Sequence, residues 1–79
     1  MVYVYILQST KVHEQYYIGI TENLKRRFAE HNSKNHKYSQ RLQPWIIKNY
    51  FAFKDSEKAQ LFEIYLKTSS GRAFSKKHF

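Results

Sequence analysis

The chain contains no cysteine, one proline and two glycines among its 79 residues. The lack of cysteine excludes a disulfide framework and a thiolate zinc site, and it favours an intracellular, cytoplasmic location. Two glycines are too few for the glycine-rich loops that cradle phosphates. The longest apolar run, Val2 to Leu7, falls far short of the roughly 20 residues of a membrane-spanning helix, and no basic segment precedes it as in a signal peptide. We therefore expect neither a disulfide-bonded secreted domain nor a membrane protein.

Acidic residues are also scarce. Six Asp and Glu stand against 14 Lys and Arg, which gives a formal net charge of +8 and a sequence pI near 9.8. The expected partner is a polyanion, and nucleic acid, anionic lipid and an acidic protein all fit this charge. The acidic residues include no evident pair for glycoside hydrolysis, and without cysteine a thiol nucleophile is excluded.

Apolar and aromatic side chains are plentiful. They make up 42% and 18% of the chain, with seven Tyr and six Phe. This is too much apolar surface for a disordered segment, so the chain is expected to fold. Its length suits one domain, residues 1–79.

The first half of the chain favours a hairpin followed by a helix. Val2 to Leu7 alternates aliphatic and aromatic side chains, which predicts a strand, and Tyr16 to Ile20 predicts a second one. The polar residues Gln8 to Gln15 are then the loop of an antiparallel hairpin. Thr21 is a suitable N-cap for a helix from about Glu22 to Asn32.

The second half favours a third strand and a second helix. Ser33 to Gln43 is basic and has no periodicity, so we expect a surface loop there. Trp45 to Phe53 is rich in aromatic and β-branched residues and predicts a strand. Asp55 or Ser56 is expected to cap a helix that runs to about Thr68.

The end of the chain is less determined. Gly71 is expected to mark the end of the second helix or the turn after it. Arg72 to Phe79 is compatible with a short third helix or with a frayed basic tail. The order ββαβα, with a possible C-terminal helix, predicts an α+β fold with a small three-stranded antiparallel sheet flanked by helices.

The first helix places two polar side chains beside its apolar stripe. At 100° per residue, Phe28 and His31 lie within about 40° of Leu24, and Arg27 lies at about −60°. Arg26 points to solvent, where it can pair with Glu30. Arg27 and His31 should emerge where the helix meets the sheet, either as packing residues or as a functional pair.

On the second helix, Glu63 borders the stripe formed by Ala59, Phe62 and Leu66. A carboxylate at such a position needs a compensating partner. One candidate partner is Lys67 at i+4, and the other is a metal ion at the rim of a cleft.

Two tyrosines in the predicted sheet lie near an open position. Tyr5 shares a strand face with Tyr3, and Tyr17 shares one with Gly19, where the missing side chain allows something to approach the backbone. A lone tyrosine on a strand is most often a packing residue. The histidines have no metal-site spacing, so solvated or packing roles are expected for them.

Four segments together resemble a known family. The segments Tyr3-Val4-Tyr5, Tyr17-Ile18-Gly19 and Leu24 to Asn32 resemble the GIY-YIG nuclease domain. Glu63 to Lys67 is similar to the helix that supplies the family's metal-binding Glu. The similarity spans nearly the whole chain and is closest in layout to the small stand-alone bacterial members. One position departs from the family pattern, because Tyr3 replaces the glycine of the first motif.

The resemblance implies a site and a chemistry. It makes Tyr5 and Tyr17 the motif tyrosines, Arg27 the catalytic arginine, His31 a further active-site residue, and Glu63 the ligand of Mg²⁺ or Mn²⁺. The implied activity is metal-dependent hydrolysis of phosphodiester bonds in nucleic acid, with DNA favoured. In this reading Tyr5 accepts a proton from the attacking water and Tyr17 positions the water or the phosphate.

Basic residues around the proposed cleft are expected to bind the substrate. They would contact the sugar-phosphate backbone without recognising the bases. Tyr38 is a candidate for stacking, and Gly19 leaves room at the backbone. The nucleic-acid-binding candidates are Gly19, Lys34, Lys37, Tyr38, Arg41, Lys76 and Lys77. A purely solubilising role is the alternative for the basic side chains.

Two other functions remain open on the sequence. The first is a catalytically inactive nucleic-acid-binding module with the same fold. The second is a subunit whose exposed aromatic residues, including Trp45 and Phe79, dock on a partner protein. A homodimer is also compatible with the sequence.

Overall fold

The computed structural model describes residues 1–33 and 40–79. Its strands are β1 (Val2–Ser9), β2 (Tyr16–Thr21) and β3 (Trp45–Phe53), and its helices are α1 (Leu24–His31), α2 (Ser56–Leu66) and α3 (Ser69–His78). This is the α+β architecture predicted from the sequence. The C-terminal segment forms a helix and not a frayed tail. Among the described residues, no helix combines the length and apolar character needed to cross a membrane.

The sheet is antiparallel and has the order β2-β1-β3, so β1 lies at its centre. On β1, Tyr5 stands opposite Gly19 of β2 and Tyr50 of β3. The register between β1 and β3 shifts between Ile6 and Leu7. Because β1 lies between two strands, its side chains are buried on both faces of the sheet and take part in both hydrophobic clusters.

Each face of the sheet carries its own core. On one face, Val4 and Ile6 pack with Ala59 and Leu66 of α2. On the other face, Tyr5, Leu7 and Trp45 pack together, and Leu24, Phe28, Tyr17 and Leu42 close around them. The two clusters correspond to the two side-chain sets that alternate along β1. We call the face that carries Tyr5 the tyrosine face, and the face that carries Ile6 the isoleucine face.

The start of α1 differs from the sequence prediction. Asn23, not Thr21, is the N-cap, and its side-chain oxygen accepts the backbone N–H of Arg26 at 3.0 Å. Thr21 remains in β2, and its hydroxyl accepts the N–H of Asn23 at 3.1 Å. The prediction was wrong because Asn and Thr are both suitable caps and the strand continues through Thr21.

Gly71 also lies elsewhere than predicted. It is buried in the first turn of α3, after α2 has ended at Leu66, and its N–H donates to the hydroxyl of the N-cap Thr68. A Cβ at this position would overlap the carbonyl oxygen of Tyr65 and lie 2.8 Å from the Cα of Leu66. Glycine is therefore present because α3 packs closely against the end of α2.

Two aromatic residues expected on the surface are packed. Trp45 is 2% exposed and belongs to the core of the tyrosine face. Phe79 packs against the core of the isoleucine face, with its ring centroid 5.1 Å from that of Phe51. Trp45 is therefore not an exposed docking side chain, and Phe79 is half-buried, which weakens the sequence argument for a partner protein that rested on them.

Candidate active site

Tyr5 lies at the centre of the tyrosine face. Its side chain is 1% exposed, and its hydroxyl lies 3.2 Å from Nε2 of His31, the last residue of α1. The phenol extends over Gly19 on the neighbouring strand, where a Cβ would overlap the hydroxyl and lie 3.0 Å from a ring carbon of Tyr5. The open backbone position expected at Gly19 is thus filled by the phenol of Tyr5 itself.

Tyr17 covers this core from β2. Its ring stacks on that of Tyr5 with the centroids 6.3 Å apart and the planes 21° from parallel. The imidazole of His31 lies 4.3 Å from the same ring, between centroids. Tyr17 is half-buried, so it is the more accessible of the two tyrosines.

His31 is fully buried, and the segment after it is tied to β3. The side-chain oxygen of Asn32 accepts the N–H of Trp45 at 2.7 Å, and its amide nitrogen donates to the Trp45 carbonyl at 3.1 Å. Gln43 donates to the carbonyl of His31 at 2.8 Å. These positioning contacts of Asn32 and Gln43 were missed by the sequence analysis, since nothing in the local pattern identifies their partners.

Arg27 lies at the edge of the site. Its side chain is 39% exposed and donates to Glu30 at 3.0 Å. A hydrogen bond with the Tyr5 phenol and the bond to Glu30 raise the pKa of the guanidinium above its usual value, so Arg27 is a permanent cation. Arg26 is mostly exposed and lies 3.9 Å from Glu30, as the helix geometry predicted.

Several groups act on the pKa of the Tyr5 phenol. Burial is the largest cause and raises this pKa above 10, because the protein interior disfavours the phenolate. The hydrogen bond with Arg27 lowers the pKa, while the nearby Tyr17 and the negative charge of Glu63 raise it. The net effect is an increase, so the phenol carries its proton at neutral pH.

Glu63 lies on α2 with its side chain 17% exposed. Its Oε2 accepts Nζ of Lys67 at 2.8 Å, so the i,i+4 partner expected from the sequence is present. The carboxylate also acts electrostatically on Tyr5, as its effect on the phenol pKa indicates. Glu63 on α2 and Tyr5 on β1, which are far apart in the sequence, therefore share one electrostatic environment.

A comparison with protein families identifies the family of the chain. The family model of the GIY-YIG catalytic domain matches residues 1–77. The chain belongs to the GIY-YIG family. No curated protein and no solved structure gives a significant match. Membership of this family of endonucleases indicates a nuclease-type function with nucleic acid as the substrate.

Tyr3, the first residue of the Tyr3-Val4-Tyr5 segment, has a packing partner in the sheet. Its ring packs against Tyr50 of β3 with centroids 6.3 Å apart. The tyrosine at this position therefore has a structural partner on the neighbouring strand. This packing leaves Tyr5, two residues further along the same face, in its contact with His31.

GIY-YIG nucleases generally depend on a divalent cation, so the donor atoms at this site matter. Across residues 1–33 and 40–79, no group of three or more His, Cys, Asp and Glu side chains could together hold a metal ion. A single carboxylate at Glu63 still fits Mg²⁺ or Mn²⁺, because such ions retain several waters and take further oxygens from the substrate phosphate. Lys67 is about half exposed and can move aside at small cost.

The proposed nucleic-acid-binding residues are not all near the tyrosines. Lys34, Lys37 and Tyr38 lie outside the described residues. Arg41 is exposed and directly precedes Leu42, which packs on the tyrosine-face core. Lys76 instead lines a cavity together with residues of the isoleucine face, and Lys77 is exposed beside it on α3. Lys76 therefore faces the isoleucine face, whereas Tyr5 and Tyr17 lie on the tyrosine face.

Proposed function

We propose that this protein is an endonuclease that hydrolyses phosphodiester bonds in nucleic acid, DNA being the favoured substrate, with Mg²⁺ or Mn²⁺ as cofactor. The observation that carries the proposal is the environment of Tyr5. Its phenol lies 3.2 Å from Nε2 of His31, and the charges of Arg27 and Glu63 act on its pKa. Groups from β1, α1 and α2 thereby act on one hydroxyl.

In this proposal Arg27 binds the scissile phosphate. Its guanidinium is partly exposed and always charged, and it can donate two parallel hydrogen bonds to non-bridging oxygens as their charge grows. To do so it exchanges its bond to Glu30 and its interaction with Tyr5 for bonds to phosphate. That exchange also uncovers the phenol of Tyr5 for the attacking water.

Tyr5 and His31 are proposed to accept the proton of that water. As the water oxygen attacks phosphorus, its proton passes to the Tyr5 oxygen, the phenol proton passes to Nε2 of His31, and the bond to the 3′ oxygen breaks. The 3.2 Å contact between the hydroxyl and Nε2 supports this route. It requires the histidine tautomer in which Nε2 carries no hydrogen. The raised pKa keeps the Tyr5 phenol protonated. The relay to His31 uses the protonated phenol, so it does not require a Tyr5 phenolate.

Tyr17 and Glu63 complete the proposed site. Tyr17 is half-buried against Tyr5 and His31, and in this proposal it positions the water or the phosphate. Glu63 would hold the divalent cation through its carboxylate. The cation, when bound, supplies positive charge that stabilises the leaving oxygen.

A cleavage assay tests the proposal. End-labelled single-stranded, nicked and branched DNA are incubated with the protein and Mn²⁺, and the Arg27→Ala and Glu63→Gln variants are compared with Lys58→Ala. Lys58 is exposed on α2, so its variant controls for loss of one charge. We expect Arg27→Ala to lower the rate by about 100-fold or more, and Glu63→Gln to do the same. Equal rates in all variants would contradict the proposed site.

A catalytically inactive binding module is the second candidate. The observation that favours it is that Tyr5 is almost fully buried and Glu63 is already paired with Lys67. This function predicts that the protein binds the same DNA substrates without cutting any of them, and that Glu63→Gln leaves the affinity unchanged. The assay described above, run alongside a binding measurement, separates the two functions.

A further inference from the structure

A cavity of about 430 Å³ lies on the isoleucine face, and its described lining includes none of the proposed active-site residues. Ile6 of β1 and Ile18 of β2 contribute apolar lining, and Tyr16 of β2 contributes an aromatic ring. Arg72 and Lys76, one turn apart on α3, line it from the helix side. The cavity thus combines an apolar interior with a basic edge, and its volume lies in the range typical of ligand sites.

The charges around the cavity are mostly positive. Lys48 joins Arg72 and Lys76 in the lining, and among the described residues none of these three cations forms a salt bridge. The ammonium of Lys48 lies 4.7 Å from the centre of the Tyr16 ring. One carboxylate, that of Glu14, belongs to the described lining. The surplus of cations matches an anionic ligand.

We propose that this cavity binds one nucleotide of a single-stranded nucleic acid. The base packs against Ile6, Ile18 and the ring of Tyr16, and its phosphate pairs with Arg72 and Lys76. An aromatic ring beside a basic edge is the combination with which proteins hold single strands, since every base has a flat apolar surface and every nucleotide a phosphate. The inference rests on the proposed nucleic-acid substrate, but it concerns a surface separate from the cleavage site.

The apolar interior of the cavity favours a single strand over a duplex. A base can reach the apolar interior only when it is unpaired and unstacked, whereas a duplex offers its phosphates alone. A duplex would therefore contact Arg72 and Lys76 without using Tyr16. Charge attraction alone would bind a single strand and a duplex without involving Tyr16. A Tyr16 substitution that weakens only single-strand binding therefore supports the proposed site.

The first test compares two substitutions of Tyr16. Binding of a fluorescent single strand of about 12 thymidylates and of a duplex of the same length is measured by anisotropy in EDTA, so that no metal-dependent cleavage occurs. We expect Tyr16→Leu to weaken single-strand binding by about 5-fold or more and to leave duplex binding within about 2-fold. Tyr16→Phe keeps the ring and should bind the single strand like the wild type. Equal losses for both nucleic acids, or none, would overturn the inference.

The second test measures salt dependence. For single strands, each phosphate contact contributes about 0.7 to the slope of log affinity against log salt concentration. Arg72 and Lys76 pair with the same phosphate, so the double variant Arg72→Ala, Lys76→Ala should lower that slope by about 0.7. Lys58→Ala, which removes an exposed charge from α2, should leave the slope close to the wild-type value. A double variant with the wild-type slope would also overturn the inference.

These outcomes are separable from those of the proposed function. If the wild type cleaves DNA while the cavity variants bind the single strand normally, the cavity inference fails and the nuclease function stands. If the Tyr16 and slope effects appear but no substrate is cut, the cavity inference stands and the binding-module function replaces the nuclease. Absence of any nucleic-acid binding contradicts both.

Discussion

Tyr5 connects three parts of the molecule through one hydroxyl. It lies on the central strand, contacts His31 at the end of α1, and interacts electrostatically with Arg27 one turn earlier on the same helix. Gly19 provides the space in which the phenol lies. Replacement of any of these side chains therefore affects the others, and their single substitutions are not expected to be additive.

The fall of stability at alkaline pH reports the burial of the Tyr5 phenol. Because its pKa is raised in the folded protein, the folded state holds this proton more tightly than the unfolded state. Stability is therefore unaffected below about pH 10 and falls above it, by up to about 1.4 kcal/mol per pH unit. Urea unfolding across this range should show a shallower fall in Tyr5→Phe than in the wild type. Tyr50→Phe, in which an exposed ring loses its hydroxyl, is the control, and equal slopes in both variants would contradict the account.

The different roles of the two tyrosines, proton transfer for Tyr5 and positioning for Tyr17, give a second prediction at the residue scale. Tyr5→Phe removes the hydroxyl that contacts His31 and should reduce the single-turnover cleavage rate by about 100-fold or more. Tyr17→Phe retains the stacked ring and should cause a smaller loss. Rates are measured in Mn²⁺ at saturating DNA. Equal small losses would exclude either phenol as the proton acceptor.

At the scale of elements, α2 and α3 depend on a close contact at Gly71. A side chain there would collide with the backbone at Tyr65 and Leu66, which are at the end of α2. We expect Gly71→Ala to lower the free energy of unfolding by about 1 to 3 kcal/mol, because the helices must separate to admit the methyl group. Urea denaturation measures this loss. The exposed Ser70→Ala change in the same turn should stay within about 0.5 kcal/mol, and equal effects would contradict the packing argument.

The ion pair on α2 provides another element-scale prediction. Lys67 occupies one oxygen of Glu63, so it competes with a cation for the carboxylate. Lys67→Ala should cost at most about 0.5 kcal/mol of stability and should strengthen Mn²⁺ binding by about 3-fold. Calorimetric titration with Mn²⁺ measures this change, with Lys58→Ala on the same helix as the control. Equal Mn²⁺ affinities in the two variants would exclude competition at Glu63.

The elements that could be predicted from the sequence are those with a strong local pattern. Trp45 to Phe53 forms β3 as expected, and Asp55 caps α2 as expected, since both signals are contained in a few neighbouring residues. The cap of α1 at Asn23 and the place of Gly71 were missed, because they depend on where a strand ends and on how two helices pack.

The site was predictable only as a set of candidates. Helical spacing placed Arg27 and His31 on one edge of α1 and Glu63 beside the apolar stripe of α2, and the resemblance implied roles for these residues and for Tyr5. The contact of Tyr5 with His31 requires a known distance between β1 and α1, which no local pattern contains. The separation of Lys76 from the tyrosine face likewise depends on which side of the sheet α3 covers.

At the scale of the whole molecule, the net charge of +8 governs how nucleic acid is approached. The tyrosine face and the isoleucine face both carry basic residues, so a strand can contact the protein on either side of the sheet. If about four phosphates are contacted, affinity for duplex DNA should fall by about 100-fold between about 50 and 200 mM salt. Anisotropy titrations at several salt concentrations measure this, and an affinity independent of salt would contradict an electrostatic grip.

The central claim is that residues distant in the sequence form one metal-dependent site around Tyr5. Paramagnetic broadening by Mn²⁺ in the NMR spectrum of the ¹⁵N-labelled protein tests it most directly. We predict that substoichiometric Mn²⁺ broadens the amide signals around Glu63 first and then those of Tyr5, Tyr17 and Arg27, and that Glu63→Gln abolishes the effect. Broadening centred elsewhere, or unchanged in Glu63→Gln, would contradict the account.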